Sequence, residues 1–187
     1  MTVDRSRAEA AVAEFLRAMG EDPDRPALAS TARRVAELGA ERFAGVDVDP
    51  VPALAAAAIA DVAAAGPVAF RDVPFVSTCE HHLLPFAGTA SIVYAPAGTI
   101  AGLGALDRVV ETLAARPQVQ ERLADEIADA VARGLGAAGV LVVLTATHDC
   151  VAMRGRRLPG TSVVTLAARG DYEREPGRTE ALTLAQR

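Results

Sequence analysis

The chain has 187 residues, of which 51% are hydrophobic, and its formal net charge at pH 7 is −5. This length suits one sizeable domain with a short appendage, and the composition is that of a soluble globular protein. The negative charge excludes nucleic-acid binding through bulk charge, and no stretch has the roughly 18 consecutive apolar residues of a membrane span. The first residues lack the basic and then apolar pattern of a secretion signal, so a cytoplasmic location is expected.

The N-terminal third is predicted to be helical. Apolar residues recur at helical spacing over residues 5–19 and again over residues 31–43. The alanine-rich stretch at residues 50–66 is expected to form a further helix or, alternatively, a low-complexity cover on the surface. We therefore assign residues 1–66 to an N-terminal helical region.

The periodicity changes after residue 66. Residues 68–76 and 88–94 have the short apolar runs of β-strands, and the segment CEHHLLPF connects them. Residues 106–113 carry a helical apolar stripe, and Pro117 is predicted to open a second helix at its first turn. These two helices are expected to be antiparallel.

The last third returns to strands. Residues 140–153 form the strongest predicted strand and residues 161–168 the next, whereas the polar tail after Gly170 is expected to be irregular. This order of elements predicts an α+β fold in which helices cover one face of a mainly antiparallel sheet. We assign residues 67–187 to this second domain.

All cysteines and histidines of the chain fall in two short stretches, Cys79-Glu80-His81-His82 and His148-Asp149-Cys150. This clustering favours a shared site. Disulfides are rare in a reducing compartment, which leaves metal binding, nucleophilic catalysis or inert burial for the cysteines. If residues 140–153 are a strand, His148, Cys150 and Arg154 share one of its faces.

The spacing of Cys79 and His82 lets both side chains of a turn bind one ion, and Cys150 would complete a Cys2His set. Three protein ligands with an open fourth position are typical of catalytic zinc, which lowers the pKa of a bound water to near 7. A closed structural site, with His81 or His148 as the fourth ligand, is the alternative. A redox or nucleophilic cysteine is less favoured, because neither cysteine has a C-x-x-C partner.

If zinc is bound by the Cys2His set, two histidines keep free imidazoles. His81 and His148 would then be natural proton carriers, because the ordinary pKa of histidine is near neutrality. The alternative for each is a histidine that is simply hydrogen-bonded in a polar pocket.

Three stretches resemble the signature sequences of the GTP cyclohydrolase I family, in the same order and at similar separations: STCEHHLLPFAG, RPQVQERLADEIADAV and ATHDCVAMRG. The resemblance covers about residues 8–175. It implies the tunnelling fold, in which sheets from many subunits close into a barrel. It also implies a toroidal homo-oligomer, commonly a decamer, with active sites between subunits.

The resemblance assigns roles to individual residues. It implies Zn²⁺ as the cofactor, held by the Cys2His set derived above, and it makes His81 and His148 the catalytic histidines. The guanine-recognising glutamine and glutamate of the family correspond to Gln120 and Glu121, where a carboxylate can accept hydrogen bonds from N1 and the 2-amino group. Alternatively, Glu121 serves only to stabilise the helix, because a negative charge interacts favourably with a helix N-terminus.

The implied substrate is a purine nucleotide. The reaction opens the imidazole ring of GTP at C8 and releases formate. After an Amadori rearrangement of the ribose it gives 7,8-dihydroneopterin triphosphate, a precursor in pterin and tetrahydrofolate biosynthesis. No nucleic acid or membrane is implied as a partner.

The phosphate contacts depart from the family pattern. The family holds its triphosphate partly through a serine and two lysines, and these positions are Gly104, Ala105 and Ser162 here. Every basic residue of this chain is arginine, so a retained positive charge would be arginine, yet none of the three is charged. Arg108 and Arg154 match the family.

This departure leaves two enzymatic interpretations open. The first is a GTP cyclohydrolase I with a rebuilt phosphate site, in which Arg156 or Arg157 compensates. The second keeps the zinc chemistry but acts on a guanine compound with fewer or no phosphates, or stops after formate release. A third interpretation is a non-catalytic paralogue that binds pterin or guanine, but the complete zinc and histidine set argues against it.

Overall fold

The computed structural model describes residues 3–60 and 66–186. Within these ranges, none of the helices combines the length and the apolar character needed to cross a membrane. In chain order the elements are α1 (Arg5–Ala18), α2 (Thr31–Arg42), α3 (Val51–Ala56), β1 (Ala58–Ala60), β2 (Val68–Cys79), β3 (Pro85–Ala95), β4 (Thr99–Ala101), α4 (Leu103–Ala114), β5 (Pro117–Gln118), α5 (Gln120–Leu135), β6 (Gly139–His148), α6 (Asp149–Ala152), β7 (Ser162–Gly170), a 3-10 helix (Asp171–Glu173) and α7 (Gly177–Gln186).

A five-stranded sheet with the order β5-β2-β3-β6-β7 forms the centre of the fold. The neighbours β2-β3, β3-β6 and β6-β7 are antiparallel, and the short β5 runs parallel to β2. The strands β1 and β4 form a separate antiparallel pair. The predicted α+β fold with a mainly antiparallel sheet is therefore confirmed.

The helices α4 and α5 cover one face of the sheet, as predicted. Their apolar stripes bury Leu106, Leu123 and Ile127, and the sheet contributes Ile92 and Val142 to the same core. Burial of a side chain of this size stabilises a fold by about 1.5–3 kcal/mol. The packed face makes the sheet a rigid platform for the groups at its strand ends.

The N-terminal helices are confirmed as α1 and α2. In the alanine-rich stretch only Val51–Ala56 is helical, and Ala58–Ala60 forms β1; residues 61–65 lie outside the described residues. Leu54 anchors α3 in the main core, so this stretch packs against the sheet domain. The division into two regions at residue 66 stays a prediction.

The second central helix begins later than the sequence predicted. Pro117 does not open it, because Pro117–Gln118 pairs with the end of β2 as β5 and the helix begins at Gln120. The buried side chain of Gln118 donates to the carbonyl of Leu113 at 3.2 Å and also hydrogen-bonds to Glu126. Pairing with β2 therefore outweighs the preference of proline for a first helical turn.

The strand β6 ends at His148, before the predicted end at residue 153. The last pair of its ladder with β3 is Phe86 with His148, and β7 reaches only to Ser162, opposite Thr147. Without neighbouring strands the chain turns into the short helix α6. The expectation that Cys150 lies on the strand and shares a face with His148 is therefore wrong.

The C-terminal tail is not irregular, which corrects a second expectation. Tyr172 in the 3-10 helix and Ala181 in α7 pack against Val93 and Leu141, on the sheet face opposite α4 and α5. The buried residues of α7 are Ala181 and Ala185, and the partly buried Leu182 and Leu184 pack against the same cluster. An alanine stripe gives little hydrophobic periodicity, so the sequence did not reveal this helix.

A substitution at Gly88 can test how closely β3 and β6 pair. A Cβ at this position would lie 1.9 Å from the carbonyl oxygen of Thr145 and 2.6 Å from Cα of Ala146. We expect Gly88→Ala to push the two strands apart and to lower the free energy of unfolding by about 1–3 kcal/mol. Chemical denaturation measures the loss.

The matched control is Gly39→Ala on α2, where a Cβ would meet nothing within 4 Å. This change should be neutral or stabilising by up to about 1 kcal/mol, because alanine favours helix more than glycine does. Equal stability of the two variants would contradict the tight β3-β6 contact.

Candidate active site

The CEHH segment forms the turn between β2 and β3, as the sequence predicted. The N–H of Cys79 donates to the carbonyl of Leu84, and the carbonyl of Cys79 accepts from the N–H of Leu83, both at 2.8 Å. Leu83 has a φ of 54°, in the left-handed region, which closes the turn. The N–H of Glu80 donates to the carbonyl of Gln118, so β5 supports the turn from the side.

Three side chains that could bind a metal meet at this end of the sheet. The ligand atoms of Cys79, His82 and Cys150 all lie within 4.8 Å of one another, and Sγ of Cys79 is 4.0 Å from Nδ1 of His82. Around tetrahedral zinc, bond lengths of about 2.0–2.3 Å separate the ligand atoms by roughly 3.4–3.8 Å. Small side-chain rotations would therefore let the three residues hold zinc.

The exposure of the three residues differs. Cys79 is buried, Cys150 is partly buried and His82 is exposed, which leaves one side of the group open to solvent. Burial raises the pKa of the Cys150 thiol, and its hydrogen bond with Cys79 raises that pKa further. Because a cysteine binds metal as the thiolate, zinc binding at this pair would release protons.

His81 lies on the same turn but is not part of the group whose ligand atoms are all close to one another. Its Nδ1 is 4.0 Å from Sγ of Cys79, and its Nε2 is 3.9 Å from Oε1 of Glu80. The His81 side chain is 64% exposed. This exposure leaves His81 accessible to a molecule that approaches from solvent.

Arg122 ties the turn to α5. Its guanidinium hydrogen-bonds to the carboxylate of Glu80, to Oε1 of Gln118 at 2.8 Å and to the carbonyl of Pro117 at 3.2 Å. The hydrogen bond from Arg122 holds the pKa of Glu80 below its ordinary range. The sequence analysis assigned no role to Arg122, although it lies in the quoted RPQVQERL stretch.

His148 lies at the end of β6, directly opposite Phe86 on β3. The two rings are parallel, with centroids 4.7 Å apart, and Nε2 of His148 is 2.7 Å from Oε1 of Gln120. Burial lowers the pKa of His148, while the carboxylate of Glu121 acts in the opposite direction. His148 is therefore oriented on two sides and lies close enough to Glu121 to interact with its charge.

Gln120 and Glu121 differ in their surroundings, although they are neighbours in the chain. Glu121 is exposed in the first turn of α5. The Gln120 side chain is 1% exposed, and its Nε2 donates to the carbonyls of Leu144 at 3.2 Å and Val163 at 3.0 Å. Its oxygen faces His148, so each polar atom of the Gln120 side chain has a partner within the chain.

The structure does not bring Arg108 to this group. Arg108 lines a pocket of about 110 Å³ with residues of α3 and α4, including Leu54. The helix α4 begins beside β4, where the N–H of Ala101 hydrogen-bonds to the hydroxyl of Tyr94. Tyr94 is eight residues from Phe86 along β3, a distance of about 26 Å, so α4 starts at the opposite end of the sheet.

The other predicted phosphate positions are also separated. Arg154 is exposed, and its charge acts on Cys150, so it lies near the metal-binding group. Ser162 is exposed at the start of β7, beside the same end of the sheet. Ala105 is 5% exposed and packs in the main core, and Gly104 precedes it on the exposed side of α4.

Fold and site together define an α+β protein that carries a Cys2His group with a neighbouring histidine at one end of an antiparallel sheet. A sequence model described as GTP cyclohydrolase I matches residues 8–186. The chain belongs to the GTP cyclohydrolase I family, which is a family of cyclohydrolase enzymes. Its antiparallel sheet with helices fits the tunnelling fold that the resemblance implied.

Curated relatives support this assignment. The chain is 51% identical over 181 residues to GTP cyclohydrolase 1 of Leifsonia xyli subsp. xyli, covering 97% of this chain and 95% of that protein. It is 49% identical over 186 residues to GTP cyclohydrolase 1 of Rhodopirellula baltica, covering 99% and 80%. A solved structure, apo archaeosine synthase QueF-Like, gives a TM-score of 0.49 at 18% identity and covers 57% of this chain and 96% of that chain.

The two adjacent histidines of the turn should differ in metal binding. We expect the protein to bind about one zinc per chain, and His82→Ala to lower zinc affinity by at least about 100-fold, because it removes a direct ligand. His81→Ala is the matched control and should keep the wild-type affinity. Competition with a chromogenic chelator measures both values.

Two outcomes would contradict this assignment. Equal losses in both variants would indicate a closed site with His81 as a fourth ligand. Full zinc binding by His82→Ala would remove His82 from the ligand set.

Proposed function

We propose that this protein acts as a zinc-dependent GTP cyclohydrolase I. It would open the guanine imidazole ring of GTP at C8, release formate and form 7,8-dihydroneopterin triphosphate. The observation that carries this proposal is the meeting of the Cys79, His82 and Cys150 side chains beside His148, in a chain of this family.

The three metal-binding side chains suit a catalytic zinc. Two thiolates and one neutral imidazole balance the charge of Zn²⁺ and leave a fourth position open. When bound, zinc lowers the pKa of a coordinated water and so supplies a nucleophile at neutral pH. Cys79 and His82 come from the β2-β3 turn and Cys150 from α6, so the site depends on the pairing that brings these elements together.

His148 would hold and move a proton at the imidazole nitrogen of the purine. Stacking on Phe86 and the hydrogen bond to Gln120 orient its ring. Because burial lowers the pKa of His148, the neutral ring that can take up a proton is available near neutrality. His81, exposed on the turn, would be the second proton carrier.

Guanine recognition would fall to Glu121. Its carboxylate is exposed at the first turn of α5 and close enough to His148 to influence the charge on that ring. A carboxylate can accept hydrogen bonds from N1 and the 2-amino group of guanine together. Arg154, near Cys150, would contact a phosphate group on the same substrate.

Arg108 would reach the substrate from another subunit. It lies beside α3, away from the metal-binding group of its own chain, while the resemblance implies active sites between subunits. Within the described residues, β7 has a strand partner on one side only, so its outer edge is free to pair with another chain. We therefore propose a toroidal homo-oligomer, with a decamer as the size that the resemblance implies.

A second candidate function rests on the uncharged phosphate positions. Ala105 is buried in the core and Ser162 is exposed but neutral, so neither supplies the charge of a lysine. An enzyme with the same chemistry could therefore act on GMP or guanosine. If the missing lysines are replaced by Arg156 and Arg157, on the exposed loop before β7, GTP would be the preferred substrate.

Formate release from a series of guanine compounds tests the proposed function. We expect zinc-loaded protein to release formate from GTP in preference to GDP, GMP and guanosine. Arg154→Ala should raise the KM for GTP by about 10- to 100-fold, the equivalent of one charge-assisted phosphate contact. Arg33→Ala, on the distant helix α2, is the control and should leave KM unchanged.

The substrate series separates the candidate functions. Equal turnover of guanosine and GTP would favour the second candidate, and formate release without a fluorescent pterin would place the end of the reaction at ring opening. Absence of formate from every compound would contradict both.

Mixed assemblies test the origin of Arg108. His148→Ala and Arg108→Ala chains should each be nearly inactive alone. Coexpressed in equal amounts, they should recover about one quarter of wild-type activity, because half of the chains supply each intact residue to a site shared between subunits. Steady-state formate release measures the recovery.

The control pairs His148→Ala with Cys150→Ser, two changes on the same side of the site. This mixture should stay inactive, because both residues come from one chain. Recovery in the control, or none in the first mixture, would contradict a shared site.

A further inference from the structure

Gln120 is buried at the start of α5 and links this helix to two strands. Its amide nitrogen donates to the carbonyl of Leu144 on β6 at 3.2 Å and to the carbonyl of Val163 on β7 at 3.0 Å. Its side chain is 1% exposed, so water does not compete for these bonds. The amide group is therefore fixed in position and orientation.

These two bonds determine which end of the amide faces His148. The nitrogen of Gln120 can donate two hydrogen bonds, whereas an oxygen in its place would face two carbonyl acceptors. The amide oxygen must then be the atom that lies 2.7 Å from Nε2 of His148. Because this oxygen only accepts, Nε2 of His148 carries the proton in their bond.

The two ring nitrogens of His148 differ in their hydrogen bonding. Within residues 3–60 and 66–186, Nδ1 of His148 has no hydrogen-bond partner. The ring is stacked on Phe86 at 4.7 Å with an interplanar angle of 0°, which holds its plane. Turning the ring over would replace the bond to Gln120 with a carbon facing its oxygen.

We propose that Gln120 is a positioning residue that keeps His148 in its Nε2–H tautomer, so that His148 exchanges its working proton at Nδ1. In this tautomer the neutral ring takes up a proton at the Nδ1 lone pair and passes it to the imidazole nitrogen of the purine, which leaves Nδ1 with its lone pair again. The Nε2 proton stays in its bond to Gln120 throughout. This inference rests on the proposed function and specifies the atom through which His148 acts.

The proposal changes the role that the resemblance implied for Gln120. The Gln120 side chain is 1% exposed, both its N–H groups donate within the chain and its oxygen faces His148, so it offers no open surface to guanine. The exposed carboxylate of Glu121 keeps the guanine contact. Of these two adjacent residues of α5, Gln120 therefore orients His148 and Glu121 contacts the substrate.

The tautomer can be observed directly in the zinc-loaded protein. Solid-state ¹⁵N NMR of protein labelled with [¹⁵N]histidine distinguishes protonated from bare ring nitrogens, and a His148→Ala sample identifies the signals of His148. With the ring neutral, we expect a protonated Nε2 and a bare Nδ1. A protonated Nδ1 with a bare Nε2 would overturn the proposal.

This measurement needs no turnover and no variant of Gln120. If no formate is released but Nε2 carries the proton, the proposed function fails and the positioning of His148 stands. If formate is released and Nδ1 carries the proton, the positioning fails and the function stands.

Kinetics provide a second test. Gln120→Met keeps the length of the side chain but removes its polar atoms, and we expect kcat to fall about tenfold or more. In the His148→Ala background, which does not turn over, adding Gln120→Met should leave the Kd for GTP within about twofold. The control Glu121→Gln should weaken GTP binding in that same background.

The alternative role gives the opposite result. If Gln120 contacts guanine, Gln120→Met weakens GTP binding in the His148→Ala background as Glu121→Gln does, and the proposal is overturned. Thermal unfolding of each variant accompanies the assay, and the NMR measurement on the unaltered chain decides the question if Gln120→Met does not fold.

Discussion

The antiparallel pairing of β3 with β6 is the constraint on which the site depends. Its register puts His148 opposite Phe86 at the last rung of the ladder, directly beside the β2-β3 turn. A shift of the register by one residue would turn every side chain of β6 to the other face of the sheet. Cys79 and Cys150, 71 positions apart in the sequence, lie close together because this ladder ends where it does.

The stretch from β5 to the first turn of α5 organises the site around that ladder. Gln118 hydrogen-bonds to Leu113 and to Arg122, Gln120 joins β6 and β7 to His148, and Arg122 holds Glu80 in the metal-binding turn. Of this stretch, Glu121 is exposed, and it is the residue that we propose for substrate binding. A sequence motif can therefore mark a site although most of its polar side chains support the protein framework.

The chemistry was easier to predict from the sequence than the geometry. Cysteines and histidines confined to two stretches identified the group that could bind a metal, and apolar periodicity identified the sheet and the helices α4 and α5. The end of β6 could not be predicted, because it depends on where β3 and β7 stop. The partners of Gln120 are backbone carbonyls 24 and 43 positions away, and a backbone carbonyl has no signature in the sequence. The helix α7 was missed because its buried positions are alanines, which mark a helical face only weakly.

Among the described residues the outer edge of β7 has no strand partner, and this affects the newly synthesised chain. This strand carries exposed Val164 and Leu166, and its outer N–H and C=O groups can pair with any extended peptide. Until the correct partner arrives, productive association competes with aggregation. The yield of active enzyme in a cell or an expression culture therefore depends on how well the correct partner competes for this edge with other extended segments.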